Sequence, residues 1–384
     1  MVSSHPRVAI CQSIIVPGGR LRVVLGIVEI LNQLGIVPDI LTAHLGLRPE
    51  QVTAQYGQSI DANYRLLPFP RIPKLSGDFI IAWFNASLRR FSEYDLLINT
   101  SNSLIFLPTN KNVVTYMFFP RKRRIMADEV NIHRPDVHYS PWSITRPQRA
   151  LLRLLYRLSK PHDEHEIVSM TEFTSSALKQ EYAILKELPV VYPPVDIAEF
   201  QGGQRERTRA VVTVGRFTHD KRQLEQIKLA EQLPGIPFHI VGFANNNAYY
   251  RKCRRYVEKH GLGHVELHPD MPFEQMRALL QESKFFLHAL INEPFGLTAV
   301  QAIAAGCLPI VHDSGGQRET VPDPRLRYQE LDQVSDIIDH LETLDVDSLI
   351  ESLQQYITSH FEAQIFHRKM KDILSPYLEP GALL

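Results

Sequence analysis

This sequence has few features of a secreted, membrane-spanning or nucleic-acid-binding protein. Its 384 residues include 3 cysteines, Cys11, Cys253 and Cys307. They lie too far apart for a metal knuckle or a disulfide framework, and Cys11 and Cys307 sit in apolar runs as expected of buried thiols, so a reducing compartment is expected. No apolar run approaches the ~20 residues needed to cross a bilayer, and Met1 to Arg7 contain no apolar signal core. A cytoplasmic protein, soluble or peripheral at a membrane, is the expectation. Lys plus Arg number 42 and Asp plus Glu also 42, so no overall field recruits nucleic acid. Neither of the leading strands runs into Gly-x-Gly-x-x-Gly, which disfavours a dinucleotide oxidoreductase. There is no Asp-x-Asp motif in a loop context and no Cys-His-Asp cluster, so no metal is expected in catalysis.

What is present is an alternation of strands and helices. Arg7 to Ile14 reads as a short buried strand. Leu21 to Leu34 reads as a helix, with Leu21, Val24, Leu25, Val28, Leu31 and Leu34 at helical spacing, and Pro38 to Thr42 returns as a strand. Tyr94–Asn99, Asn112–Met117 and Glu166–Met170 are further strands. Pro189, Pro193, Pro194, Gly202 and Gly203 mark a linker, after which the pattern restarts. Strands are expected at 210–214, 238–241, 265–268, 285–287 and 308–311, with helices at 223–233, 249–260, 273–283 and 298–305. Such regularity indicates an α/β protein of two doubly wound, Rossmann-like domains facing a cleft. The expected division is 1–188, a linker at 189–206, a second domain at 207–360, and a helical tail at 361–384 that packs back on the first domain.

The richest segment runs from Asn292 to Gly306. Glu293 precedes a turn, Gly296 lets a ligand approach the backbone, and a helix follows whose first amides at Leu297 and Thr298 suit an anionic group such as a diphosphate. Gln301 lies eight residues after Glu293, so both share a helical face if the helix reaches back that far. Gly215 and Arg216 close the first strand of the second domain and Lys221 follows; a planar guanidinium and a compact ammonium both suit phosphate oxygens. The plainer readings stay open: a buried amphipathic helix after an ordinary loop, and two surface cations. The basic run Arg121, Lys122, Arg123 and Arg124 is either a solvated loop or a contact for an anionic acceptor or membrane surface. The leucines from Leu151 to Leu158 suit either a bilayer surface or a core helix.

Taken together, Val214-Gly215-Arg216, Lys221, Ile240-Val241-Gly242, Glu293-Pro294-Phe295-Gly296-Leu297, Ala304 to Val311 and Gly315-Gly316-Gln317-Arg318-Glu319 resemble the donor half of the family-4 retaining glycosyltransferases, which have the GT-B fold. Pro17-Gly18-Gly19-Arg20 resembles that family's acceptor-side loop. Tyr116 to Pro120 resembles a segment of the dolichol-pathway alpha-1,2-mannosyltransferases. The resemblance implies a retaining, metal-independent hexosyltransferase that uses a nucleotide-diphospho-sugar, GDP-mannose or a UDP-hexose, with a glycan or lipid-linked acceptor and no separate cofactor. It implies that Arg216 and Lys221 hold the diphosphate and that Glu293 meets the sugar. Gly215, Gly296, Leu297 and Thr298 would then line the donor site, Gln301 would bind the ribose, and Gly18 and Gly19 would approach the donor phosphate. Two departures stand out: Gln301 replaces the family's usual Glu, and Phe118 occupies the place of a sugar-facing His, for which His133 and His138 are candidate substitutes or ordinary loop histidines. They keep two alternatives open, a non-catalytic nucleotide-sugar binder and a GT-B epimerase or phosphorylase.

Overall fold

The computed structural model describes residues 6–16, 18–47, 51–52, 61–67, 77–104, 107–108, 112–120, 150–151, 154, 165–202, 207–244 and 247–378. The chain divides into two compact units. One is formed by the N-terminal part up to Pro194 together with Ala363–Leu384, the other by Val195–Glu362.

The first unit is built on six parallel strands: β1 (Val8–Cys11), β2 (Asp39–Thr42), β3 (Asn63–Leu66), β4 (Leu96–Asn99), β5 (Asn112–Met117) and β6 (Glu166–Ser169), in the order β3-β2-β1-β4-β5-β6. The strands β1 and β4 are buried throughout, as expected where helices cover both sheet faces. Helix α1 (Gly19–Gln33) buries nearly all of its apolar side chains. One of its neighbours is the C-terminal helix α12 (Ala363–Leu378), whose Phe366 ring lies against Gly26; a methyl group there would come within 2.8 Å of the ring. Three elements of this unit go beyond the sequence-based expectation. Strand β3 has an exposed, polar pattern because it is the sheet edge, helix α2 (Gly77–Ser87) is apolar without a clear polar stripe, and helix α3 (Glu172–Tyr182) is capped by Thr171, whose hydroxyl accepts from Thr174 N–H. The strand expected from Arg7 to Ile14 ends at Cys11, and Ile14–Ile15 pairs separately with His44–Leu45.

The second unit repeats the plan. A single turn α4 (Ile197–Phe200) leads into β7 (Thr208–Val214), α5 (Gln223–Glu231), β8 (Phe238–Gly242), α6 (Ala248–His260), β9 (Val265–Pro269), α7 (Phe273–Glu282), β10 (Ser283–His288), α8 (Leu297–Ala305), β11 (Leu308–His312), a short turn α9 (Gln317–Thr320), β12 (Arg327–Tyr328), α10 (Gln333–Leu341) and α11 (Val346–Phe361). All strands are parallel, in the order β9-β8-β7-β10-β11-β12. In both sheets the order reverses direction at the first strand, between β1 and β4 and between β7 and β10. Connections leave that junction to opposite sides, so the strand ends there open into a crevice where ligands bind.

Candidate functional site

The site of the second unit grows from that junction. Strand β10 pairs with β7 through Phe285–Val211 and Phe286–Val212, which brings His288 level with Val214 and the Gly215-Arg216 loop. The end of β8 crowds the same place. A methyl group on Gly242 would lie 1.8 Å from the carbonyl oxygen of Gly215, so only glycine permits this approach. The loop is then braced by side chains. Gln223 donates through Nε2 to the carbonyls of Arg216 (2.7 Å) and Gly215 (3.4 Å), and Asn247 Nδ2 donates to Phe217 O at 2.9 Å. Phe217 itself is buried. Arg216 projects from this loop as an exposed cation with no carboxylate partner among the described residues.

Lys221 ends a 3-10 turn (His219–Lys221), and Arg222, at φ 54° and ψ 36°, redirects the chain into α5. Gln226 Nε2 donates to Lys221 O at 2.9 Å, which holds that turn. The ammonium of Lys221 donates to Glu293 Oε2 at 2.8 Å and lies 3.3 Å from His288 Nε2. His288 Nε2 is 3.7 Å from Glu293 Oε2, and the three side chains are only 21%, 17% and 3% exposed for Lys221, Glu293 and His288. Sequence reasoning singled out Lys221 and Glu293 separately; it missed His288, whose signal was its place at the carboxyl end of a buried strand.

The Glu293 loop is set by backbone contacts. Asn292 takes a left-handed φ of 54° and its N–H donates to Ser314 Oγ at 2.7 Å; Gly316 N–H donates to Glu293 O at 2.8 Å. A methyl group on Gly316 would stand 2.0 Å from Pro294 O, so this loop and the Gly315-Gly316 loop pack backbone to backbone. Gln317 Nε2 donates to Leu290 O at 3.1 Å, and Thr320 Oγ1 to Phe295 O at 3.2 Å. Gly296, with φ 96°, caps α8 without a side chain. The helix therefore begins at Leu297 and does not reach back to Glu293. The shared helical face expected for Glu293 and Gln301 does not exist, because the left-handed Gly296 breaks the helical path between them. Gln301 lies on α8, is 8% exposed, and its side chain has no hydrogen-bond partner among the described residues. Leu297 and Thr298 occupy the first turn, where amides lack intrahelical acceptors.

A second cation, Arg222, also has no carboxylate partner among the described residues, and it acts electrostatically on His312 at the end of β11. Burial, and then Arg222, hold the pKa of His312 below the ordinary histidine value, and its Nδ1 lies 2.8 Å from Ser314 Oγ. Arg216, Lys221 and Arg222 gather three cations near the carboxyl ends of β7 and β10, and cations so placed suit an anionic ligand.

In the first unit, Gly18 takes φ 134° at the start of α1, a conformation that favours glycine, and Gly19 opens the helix. The junction between β1 and β4 carries a buried polar cluster that sequence reasoning passed over. Thr100 Oγ1 donates to Gln12 Oε1 at 2.6 Å, Ser101 Oγ donates to Cys11 O at 3.1 Å, and Ser13 N–H donates to Ser101 Oγ at 3.0 Å. Its sequence signal was the run of small polar residues that follows the apolar strand β4. Phe118 is buried against Tyr116. Pro17, Arg121, Lys122, Arg123, Arg124, His133, His138 and most of the 151–158 segment lie outside the described residues. The described Leu151 and Leu154 are both exposed. No helix among the described residues is long and apolar enough to cross a membrane.

Residues 195–328 match the family model described as glycosyl transferases group 1. The chain is 29% identical over 153 residues to the human GDP-Man:Man(3)GlcNAc(2)-PP-Dol alpha-1,2-mannosyltransferase, covering 35% of this chain and 31% of that protein. It is also 29% identical over 218 residues to the GDP-mannose:cellobiosyl-diphosphopolyprenol alpha-mannosyltransferase of Xanthomonas oryzae pv. oryzae, covering 49% of this chain and 56% of that protein. The match thus spans about a third of the human relative and just over half of the bacterial one. Among solved structures, WaaG, a glycosyltransferase involved in lipopolysaccharide biosynthesis, superposes with a TM-score of 0.70 at 14% identity, covering 96% of this chain and 99% of its own. Anabaena Alr3699/HepE, solved in complex with UDP and glucose, superposes with a TM-score of 0.69 at 16% identity over 97% and 100%. The fold is that of the GT-B glycosyltransferases, and the family resemblance read from the motifs is borne out.

Proposed function

We propose that this chain is a retaining, metal-independent hexosyltransferase that moves a sugar, mannose in preference to glucose, from a nucleotide diphosphate to a hydroxyl of a glycan or lipid-linked acceptor. The observation that carries this reading is the contact of Lys221 with both Glu293 and His288 at the strand-order reversal of the second unit. When the bond from the anomeric carbon to the diphosphate breaks, negative charge grows on the departing phosphate. Arg216, Lys221 and the first-turn amides of α8 are fixed donors suited to that charge, and preorganised donors need little rearrangement as it develops. Glu293, held by Lys221, suits the hydroxyls of the sugar, and Gln301 suits the ribose. Gly18 and Gly19 form the acceptor-side loop, and Arg121, Lys122, Arg123 and Arg124 suit an anionic acceptor or the membrane that carries it. The preference for GDP-mannose rests on the two relatives being GDP-mannose-dependent mannosyltransferases; a UDP-hexose is the runner-up.

The test is transfer by the purified chain from GDP-mannose and from UDP-glucose to soluble glycans and to polyprenyl-diphosphate-linked sugars, read by mass spectrometry and by the anomeric signal of the product. An inverted anomer would overturn retention, and loss of turnover in a chelator while circular dichroism shows the chain folded would overturn metal independence. A non-catalytic binder is favoured by one feature, the buried Phe118 where the mannosyltransferase pattern has histidine. Calorimetric binding of a nucleotide sugar, with neither transfer nor hydrolysis across the acceptor panel, would decide for it.

A further inference from the structure

The sequence shows no cluster of metal ligands, but strand register makes one at the edge of the second sheet. Strands β8 and β9 pair in parallel, with His239 opposite Glu266 and Val241 opposite His268. Residues two apart on a strand share a face, so His239, Glu266 and His268 gather on the same side of the two outermost strands. His239 Nδ1 lies 3.2 Å from His268 Nε2. Glu266 Oε2 is 3.6 Å from the first nitrogen and 3.4 Å from the second.

These three atoms can all donate a lone pair, and they form a nearly equilateral triangle. Zinc-class ions bind imidazole nitrogen and carboxylate oxygen at about 2.0–2.2 Å in a tetrahedron, which sets neighbouring ligand atoms about 3.3 Å apart. The observed sides match one face of such a tetrahedron. The two imidazole rings are 5.4 Å apart with 34° between their planes, so the nitrogens converge and the rings do not stack. The imidazoles are half-buried and the Glu266 side chain is 60% exposed, which leaves solvent free to supply a fourth ligand.

We propose that His239, Glu266 and His268 bind a divalent transition-metal ion of the zinc class, which clasps the edge strand β9 to β8. The ion is structural. None of its ligands belongs to the set around Lys221 and Glu293, and the proposal does not depend on the glycosyl-transfer reading. A divalent ion draws on all three lone pairs at once, whereas one shared imidazole proton can serve only one hydrogen bond well.

The experiment uses the full chain, stripped with a chelator and titrated with Zn2+ by calorimetry and with Co2+ by visible d–d absorption. One ion per chain and a Co2+ spectrum of low-symmetry, intense bands are expected. At a hundredfold excess of Zn2+ over its Kd, the melting temperature should rise by about 5 °C or more. The double variant H239A/H268A should lose both the stoichiometric binding and the thermal shift while circular dichroism shows it folded, and E266Q should weaken binding without abolishing it. The affinity for GDP should be the same with and without Zn2+, which separates this site from the candidate donor site. The chain has 16 histidines, so the double variant also reports any other zinc binding. Equal Zn2+ affinity in the wild-type chain and H239A/H268A would overturn the proposal. If that variant does not fold, the wild-type titration still decides, because failure to take up one Co2+ per chain overturns the proposal by itself.

Discussion

Lys221 has two claims on its charge, the carboxylate of Glu293 and, in the proposed reaction, the donor diphosphate. Lys221→Ala should therefore lower transfer by roughly two to three orders of magnitude, the cost of removing one fixed donor to a developing oxyanion, with a smaller effect on KM. Glu293→Ala should lower turnover to a similar extent. Steady-state kinetics on folded variants check both, and wild-type rates in either would remove that residue from the site. His312 gives a pH prediction. Burial, and then Arg222, hold its pKa below the ordinary 6.5, so as the pH falls the unfolded chain takes up the proton first. The stability contributed by neutral His312 is present above pH 6.5 and is lost as the pH falls through the folded-state pKa. Melting temperatures from pH 8 to 5 should fall more steeply for the wild type than for His312→Gln. The thiols make a third prediction. Burial pushes Cys253 and Cys307 up to about 12 and Cys11 higher still, so none carries appreciable thiolate near neutral pH. Mass spectrometry should find no alkylation by iodoacetamide in the native state and three adducts after unfolding.

At the scale of elements, the site depends on how loops are tied to helices. Asn247 does two things: its Oδ1 caps α6 by accepting from Tyr250 N–H at 2.8 Å, and its Nδ2 holds Phe217 O at 2.9 Å, next to the Arg216 loop. Asn247→Ala loses both and should cost about 1–2 kcal/mol in denaturant unfolding. Asn247→Asp keeps the cap but lacks the donor to Phe217, so it should retain most of the stability yet bind the nucleotide sugar more weakly. Wild-type binding of the nucleotide sugar by Asn247→Asp would show that the Phe217 tether does not position Arg216. Element periodicity made most of this scaffold readable. Helix α6 was expected at Tyr249–His260 and spans Ala248–His260, and β5 was expected and found at Asn112–Met117. Strand β3 was not readable, because an exposed edge strand has no buried alternation to betray it.

At the scale of the whole molecule, the chain leaves the first unit at Pro194 and returns to it after Glu362. Helix α12 buries Phe366, Met370 and Leu374 there, each no more than 1% exposed. Three large apolar side chains at about 1.5–3 kcal/mol each amount to roughly 5–9 kcal/mol, comparable to the ~5–15 kcal/mol that keeps a domain folded. A chain truncated after Glu362 should therefore expose its first unit to proteolysis while the second unit stays resistant. Limited trypsin digestion with mass mapping checks this, and equal resistance of both units would refute it.

The sequence by itself determined the two alternations of strand and helix, the glycines at the strand ends, and the residues Arg216, Lys221, Glu293 and Gly296. Each is legible locally, because periodicity, turn chemistry and motif spacing act over a few residues. Only the tertiary structure decided that Lys221 meets Glu293 across 72 residues and His288 across 67. It also began α8 only after Glu293 and brought His239 against His268. The physical reason is that strand order and register determine which strand ends share an edge and which side chains share a face. They follow from the packing of the whole sheet, and no local pattern in the chain encodes them.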